Sequence, residues 1–289
     1  MYDITGYNEA KSLQDVFDLI KEDPKARLIA GGTDVLVKSR ERKEGFVDAP
    51  LIGITRIPDL QDIYLDDDET LVIGSMNSFT DVETNPLVKE HAPLLSEAVA
   101  LVGGPQTRNA GTIGGNVCNG ATSADSAPTL FAYNAVLEIH SPNGVKNVPI
   151  AEFYKGAGWV DLEPGDILVK IKIAKADYEG YQGHYTKFAQ RHALDIANLS
   201  CACLLKVEND VIEDLRVCFG VAAPTPIRMA KAEAYAKGKA ISEETMAEIG
   251  KLCLEDTNTR NSWRASKEYR DHLVQILPGR NIMAAIGEA

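Results

Sequence analysis

The chain has 289 residues, 45% of them hydrophobic and 25% charged, an ordinary globular balance that excludes a mostly disordered protein and suits two or three subdomains. A net charge of -12 with no Lys/Arg cluster excludes the basic face that a nucleic-acid binder needs and favours small-molecule or protein partners. The opening MYDITGYNEA carries neither a basic nor an apolar targeting region, and no apolar stretch is long enough to span a bilayer, so no membrane association and a cytoplasmic location are expected.

The first elements read as helix then strand. Ser12 with Asp15 three residues on forms a capping box before the amphipathic run Leu13, Val16, Phe17, Ile20, and Pro24 ends the helix. Ala26 to Ala30 (ARLIA) is a short strand feeding the turn Gly31-Gly32-Thr33-Asp34, with Thr33 or Asp34 placed to cap the run VLVKSR. From Pro58, QDIYL and TLVIGS flank an acidic turn as a hairpin. Asn85 to Val102 is helical, with Pro86 in its first turn and Pro93 as a kink or break.

The segment Gly103 to Ser126 holds six of the chain's 23 glycines, with five Ser/Thr and three Asn. So little apolar bulk cannot order a backbone by burial; the segment either wraps a ligand or is flexible. Glycine lets backbone N–H groups converge on an anion, and Ser/Thr and Asn add neutral hydrogen bonds, chemistry that suits a diphosphate. The earlier turn at Gly31–Asp34 offers the same chemistry, so two nests could clasp one long dinucleotide. No GxxxxGK[ST] and no GxGxxG at a strand–helix junction is present, which disfavours nucleotide hydrolysis and a Rossmann site.

Further on, VLEIHS and VKNVPI make a hairpin whose Asn143-Gly144 suits a type I′ turn, and LVKIKIA is another strand. From about Gly180, the runs LSCACLLKV and VIEDLRVCFGVA flank the turn Glu208-Asn209-Asp210. Helices are then expected at Pro226 to Lys237, Ser242 to Asp256 and Ser262 to Ile276. Strands followed by helices give an α+β fold class. Five cysteines without a CxxC signal neither disulfides nor a metal site, and Cys201 and Cys203 share one strand face as small buried hydrophobes.

With these residues in view, the sequence resembles the FAD subunits of molybdenum hydroxylases, which share the vanillyl-alcohol-oxidase type of flavin fold. Their motifs AGG(T/H)(D/S) and TIGGN stand here as Ala30–Asp34 and Thr112–Asn116. Similarity is strongest to the bacterial xanthine dehydrogenase branch, in NVCNGATSADSAPTLF, FGVAAPTPIR and SWRASKEYR. The resemblance implies FAD-binding subdomains at 1–57 and 58–177 and a C-terminal domain at 178–289. It assigns Arg27, Leu28, Ile29, Ala30, Gly31, Gly32, Thr33 and Asp34 to the diphosphate and adenosine portion, and Thr112, Ile113, Gly114, Gly115 and Asn116 to a second nest. Gly103, Asp125, Leu168 and Lys187 would complete the pocket.

The same resemblance implies that a partner subunit carries the molybdenum cofactor and another the [2Fe–2S] clusters, for which this chain lacks familiar cysteine spacings. NAD would be the electron acceptor, no side chain would act as nucleophile or general base, and no metal would bind. Xanthine is the substrate implied for the partner; nicotinate, an aldehyde or carbon monoxide is the alternative. The stretch Phe153 to Asp166 would lie near the flavin's open face, with glycines where some relatives have an aromatic residue; Trp159 or Tyr154 could substitute, although packing is the favoured role for each. Trp263, Arg264, Tyr269 and Arg270 are the residue types of a subunit interface, although a helix packed on its own sheet accounts for them equally.

Overall fold

The computed structural model describes residues 2–287. Strands β1 (Ile4–Glu9), β2 (Arg27–Ile29) and β3 (Ala49–Gly53) form a small parallel sheet in the order β1-β3-β2, crossed over by helices α1 (Leu13–Glu22) and α2 (Val35–Arg40). The capping box at α1 is realised: Ser12 Oγ accepts from Asp15 N at 3.1 Å, and Asp15 accepts from Ser12 N at 3.2 Å. Asp34, by contrast, does not cap α2; its carboxylate is drawn to Lys38 Nζ, one helical turn on, at 2.5 Å.

A second sheet contains the hairpin β4 (Ile63–Leu65) and β5 (Leu71–Gly74), then β6 (Val136–Ser141) and β7 (Gly144–Pro149). After a short ribbon, β8 (Tyr154–Gly156) and β9 (Trp159–Val160), strand β10 (Ile167–Ile173) enters its centre, giving the antiparallel order β4-β5-β10-β6-β7. Six short helices join β5 to β6: α3 (Phe79–Thr84), α4 (Pro86–His91), α5 (Pro93–Ala100), α6 (Pro105–Ala110), α7 (Ile113–Asn119) and α8 (Ser126–Ala132). Pro93 does break the helical run, with Ala92 between α4 and α5. Two single turns, α9 (Ile150–Phe153) and α10 (Lys175–Tyr178), flank the ribbon and end the sheet. β10 joins two cores, since Ile167 and Val169 pack with β3 while Leu168, Ile171 and Ile173 pack with the helices.

The third sheet is antiparallel and in chain order: β11 (Gln182–Phe188), β12 (Leu199–Glu208), β13 (Val211–Gly220) and β14 (Ile227–Arg228). It is buried on both faces, which is why β12 reads as an unbroken apolar run. Ala202, Leu204 and Cys218 face the α3–α8 layer. Cys201, Cys203, Leu205, Val217 and Phe219 face α11 (Ala230–Ala236), α12 (Glu243–Asp256) and α13 (Lys267–Ala285). Cys201 and Cys203 thus share a face as expected, fully buried with their sulfurs 3.8 Å apart. The α+β assignment holds for the chain as a whole, while the first sheet alternates strand and helix as parallel β–α–β units.

Several local expectations need correction. The β6–β7 loop is Pro142-Asn143, neither residue at positive φ, so it is not type I′, which requires positive φ at both central residues. That geometry occurs instead at the β12–β13 turn, where Asn209 and Asp210 have φ of 51° and 60°. The helix expected from Pro226 begins at Ala230, because Ile227 and Arg228 are taken up by pairing with Phe219 and Cys218. The last helix starts at Lys267, capped by Ser266, and runs through Pro278 to Ala285. An internal proline costs a helix about 3 kcal/mol; burying Leu273, Val274, Leu277 and Ile282 at roughly 1.5–3 kcal/mol each outweighs it. Strands β1 and β3 have no counterpart among the expected elements; β1 is mostly exposed and lacks strand alternation.

Two contacts that tie the third sheet in place are testable. A Cβ on Gly250 of α12 would lie 2.0 Å from the Gln275 carbonyl oxygen of α13, so Gly250→Ala is expected to lower stability by about 1–3 kcal/mol, read as a lower urea midpoint. His184 of β11 pairs with Glu97 of α5 at 2.8 Å, and that hydrogen bond holds the imidazole above its ordinary value. A raised folded-state value means the pair stabilises fully below the ordinary imidazole range and loses that contribution as pH rises through the raised value. The melting-temperature gap between the wild type and His184→Gln should therefore be wide near about pH 5.5 and close by about pH 8.5; an equal gap at both would remove the pair from the stability balance.

A candidate cofactor cleft between two glycine segments

β2 ends at Ile29, and the chain then turns through Gly31 to Asp34 before α2. Gly32 takes φ +72°, a left-handed conformation that disfavours any side chain. A Cβ on Gly31 would stand 1.6 Å from the carbonyl oxygen of Ala110, at the end of α6. Glycine is required there because backbone packs directly on backbone. Gly114 meets the same constraint, with a Cβ placed 2.5 Å from Ser75 Cβ. The two glycine segments, far apart in sequence, thus close on each other around one cleft of about 550 Å³.

Its unpaired backbone donors lie on the first segment. Among the described residues, the N–H groups of Gly31, Gly32, Thr33 and Asp34 donate no hydrogen bond. Consecutive unpaired N–H donors at a turn suit an anion. The second segment works differently from a nest. Gly114 N donates to Ser75 O, Ile113 N to Asn77 O, and Gly115 N to Thr112 Oγ1 at 3.0 Å, since Thr112 caps α7. Its donors are consumed by folding, and what it offers the cleft is side-chain-free surface plus Asn116, whose amide oxygen accepts from Ser126 Oγ at 2.6 Å. The glycine-rich stretch, expected to wrap a ligand or be flexible, is thereby ordered as α6, α7 and α8.

Of the residues expected in a pocket, Arg27, Leu28, Ala30, Gly31, Gly32, Thr33, Asp34, Thr112, Gly114, Gly115, Asn116 and Leu168 line this cleft. Ile29, Gly103, Ile113, Asp125 and Lys187 are not on its wall. Ile113 is core, fully buried, and Gly103 takes φ +52° beside the cleft residue Val102. Asp125 and Lys187 form a buried ion pair at 2.8 Å; Tyr185 donates to Asp125 at 2.8 Å and Lys187 also donates to Leu101 O. Burial pushes the Asp125 carboxyl up, against the downward pull of Lys187 and Tyr185. The pair braces β11 against the start of α8.

Sequence reasoning missed several wall residues. Lys38 lies over the Phe46 ring, as does Arg27, and Lys38 Nζ donates to Asn119 Oδ1 at 2.8 Å, bridging α2 to α7. These residues join only through the tertiary approach of the two segments, and no local pattern marks them. Phe79, Val102, Leu162 and Leu168 add apolar surface to the wall. Trp159 is two-thirds exposed and off the cleft wall, while Tyr154 is buried against Phe131 and Phe153 as core packing. No group of three or more potential metal ligands occurs among the described residues.

A cleft that combines unpaired N–H donors on one segment with the apolar side chains Phe79, Val102, Leu162 and Leu168 suits an extended molecule with a diphosphate and a flat ring, as FAD has. Known proteins agree. Residues 3–175 match the family model described as the FAD binding domain in molybdopterin dehydrogenase, and 184–285 match the CO dehydrogenase flavoprotein C-terminal domain. The xanthine dehydrogenase FAD-binding subunit of Escherichia coli O157:H7 is 40% identical over 289 residues, covering 100% of this chain and 98% of that one. The carbon monoxide dehydrogenase medium chain of Hydrogenophaga pseudoflava is 29% identical over 281 residues, 96% of each chain. Among solved structures, the carbon monoxide dehydrogenase of that organism superposes with a TM-score of 0.93 at 28% identity, covering 100% of this chain and 99% of that one. Quinoline 2-oxidoreductase from Pseudomonas putida 86 gives 0.93 at 26%, with the same coverage. The chain therefore belongs to the FAD-binding subunits of the molybdenum hydroxylase family.

Proposed function

We propose that this chain holds FAD in the cleft between its two glycine segments and serves a xanthine dehydrogenase as its electron-transfer subunit, receiving electrons from [2Fe–2S] clusters on one partner subunit and delivering them to NAD. A further partner would carry the molybdenum cofactor and hydroxylate the substrate. The observation that carries the FAD assignment is the run of four unpaired N–H donors at Gly31–Asp34 facing a cleft closed by the second glycine segment.

Bound FAD supplies the ability to accept electrons singly and release them in pairs. The chain's own residues do the rest. The N–H groups of 31–34 offset diphosphate charge, while Lys38, paired with Asp34 and bonded to Asn119, fixes the wall beside them. Gly114 and Gly115 leave room for close approach, and Phe79, Leu162 and Leu168 exclude water from the ring end. Gly103, Asp125 and Lys187 act behind the wall, fixing its position. No catalytic acid or base is assigned, because hydride release needs only positioning.

The choice of xanthine among substrates rests on whole-length identity: 40% to a xanthine dehydrogenase subunit against 28–29% to the glyceraldehyde, carbon monoxide and nicotinate relatives. The division at 1–57, 58–177 and 178–289 follows the three sheets, and a cytoplasmic site of action is part of the same proposal. No helix among the described residues is long and apolar enough to cross a membrane.

Purified chain incubated with FAD is expected to retain one equivalent through gel filtration and to reduce a dye with NADH; colourless protein after reconstitution would defeat the assignment. Gly31→Ala should push the two segments apart and lower FAD retention by at least tenfold while the third sheet stays folded, as read by flavin absorbance alongside circular dichroism.

A further inference from the structure

Opposite in character to the acidic whole, one surface patch is cationic and aromatic. The loop 190–198 is pinned at one end to the stretch before α13, where Gln190 Nε2 donates to Arg264 O at 3.2 Å, and at the other to α13 itself, where Arg270 Nε donates to Asn198 O at 2.9 Å. Loop and stretch therefore form one continuous face. On it stand Trp263, 80% exposed, with Leu194, Ile196 and Tyr269, four of the large hydrophobic side chains left in solvent among the described residues. A concentration of this kind marks an interaction site, whereas scattered single residues would not.

The charges on this face are as selective. Arg264 stacks over the Trp263 ring at 4.1 Å, and its Nε is buried without a hydrogen-bond partner. Among the described residues, neither Arg264 nor the exposed Arg260 has a carboxylate within ion-pair distance. Arg270 beneath them is buried and spends its donors on Asn198 O, Arg260 O and Ser262 Oγ, so it is a buried support and does not itself face a partner. That corrects its place among the expected interface residues. In a chain of net charge -12, two unpaired guanidiniums beside an exposed indole leave an anionic counterpart to be supplied from outside.

We propose that Arg260, Trp263 and Arg264, with Leu194 and Ile196, form the docking face for an acidic surface of a protein partner, the cluster-bearing subunit of the proposed complex. This rests on the electron-transfer reading given above. Position supports it: Leu194 N donates to Gly103 O at 3.0 Å, which places the loop one residue from Val102 on the apolar wall of the cleft. A donor docked here sits beside the cleft assigned above to the cofactor. Trp and Arg are the residue types that anchor protein interfaces, an indole desolvating its surroundings and a guanidinium pairing bidentately with carboxylate.

The test uses the complex co-expressed from its own neighbouring genes. Arg260→Glu and Trp263→Ala, singly and with Arg264→Glu, are compared with the wild type for affinity toward the cluster-bearing subunit. Flavin content and thermal midpoint of each isolated chain are measured in parallel. Expected are at least tenfold weaker association for the charge reversals, weakening of the wild-type complex by added salt, and unchanged flavin content. Because Arg260 and Trp263 are exposed, their single variants carry the test if Arg264→Glu fails to fold. Unaltered assembly overturns the docking face alone. Intact assembly with a raised KM for NADH in dye reduction also overturns it, and gives the patch to the nicotinamide nucleotide. A wild-type chain that binds FAD but no cluster-bearing subunit overturns the electron-transfer reading as well.

Discussion

Backbone lying directly on backbone, Gly31 against the Ala110 carbonyl and Gly114 against Ser75, is the contact on which the site depends. Neither segment has apolar bulk enough to hold itself in place. Each is ordered because the other, with β10 beneath both, removes alternatives, and the missing side chains permit a separation that any Cβ would forbid. The cleft is what remains between them. Its N–H donors stay unpaired on one side because the chain has turned too sharply to pair them, and they are consumed on the other because α7 starts there.

The second support is polar and buried. Asp125, Lys187 and Tyr185 link the α8 start to β11, and Glu97 links α5 to β11 through His184 and the Tyr185 amide. A buried ion pair contributes little net stability over an apolar replacement, but breaking one partner is costly, so such a pair fixes geometry more than it adds energy. Here it fixes how the third sheet meets the helical layer whose members form the cleft wall. The third sheet and its helices thereby serve the cleft without lining it.

These features suit a station in a chain of electron carriers. The protein has no reason to assemble a general base or a nucleophile if the cofactor performs the chemistry, and what the structure supplies is close packing of two glycine segments around a cleft.

The sequence by itself determined the α+β class, the capping box at Ser12, the break at Pro93, the shared face of Cys201 and Cys203, and the two glycine segments, because each is written in local spacing or in residue types with a local consequence. It did not determine where the type I′ turn falls, since Asn-Gly and Asn-Asp compete and strand register decides between them. Nor did it mark Lys38 and Phe46 as cleft residues, carry the last helix through Pro278, or separate buried Arg270 from its exposed neighbours. Those outcomes depend on which distant surfaces meet, where burial of a few side chains outweighs a local preference worth a few kcal/mol. Only tertiary structure decided that the second glycine segment spends its N–H groups on its own folding and leaves the unpaired donors to the first.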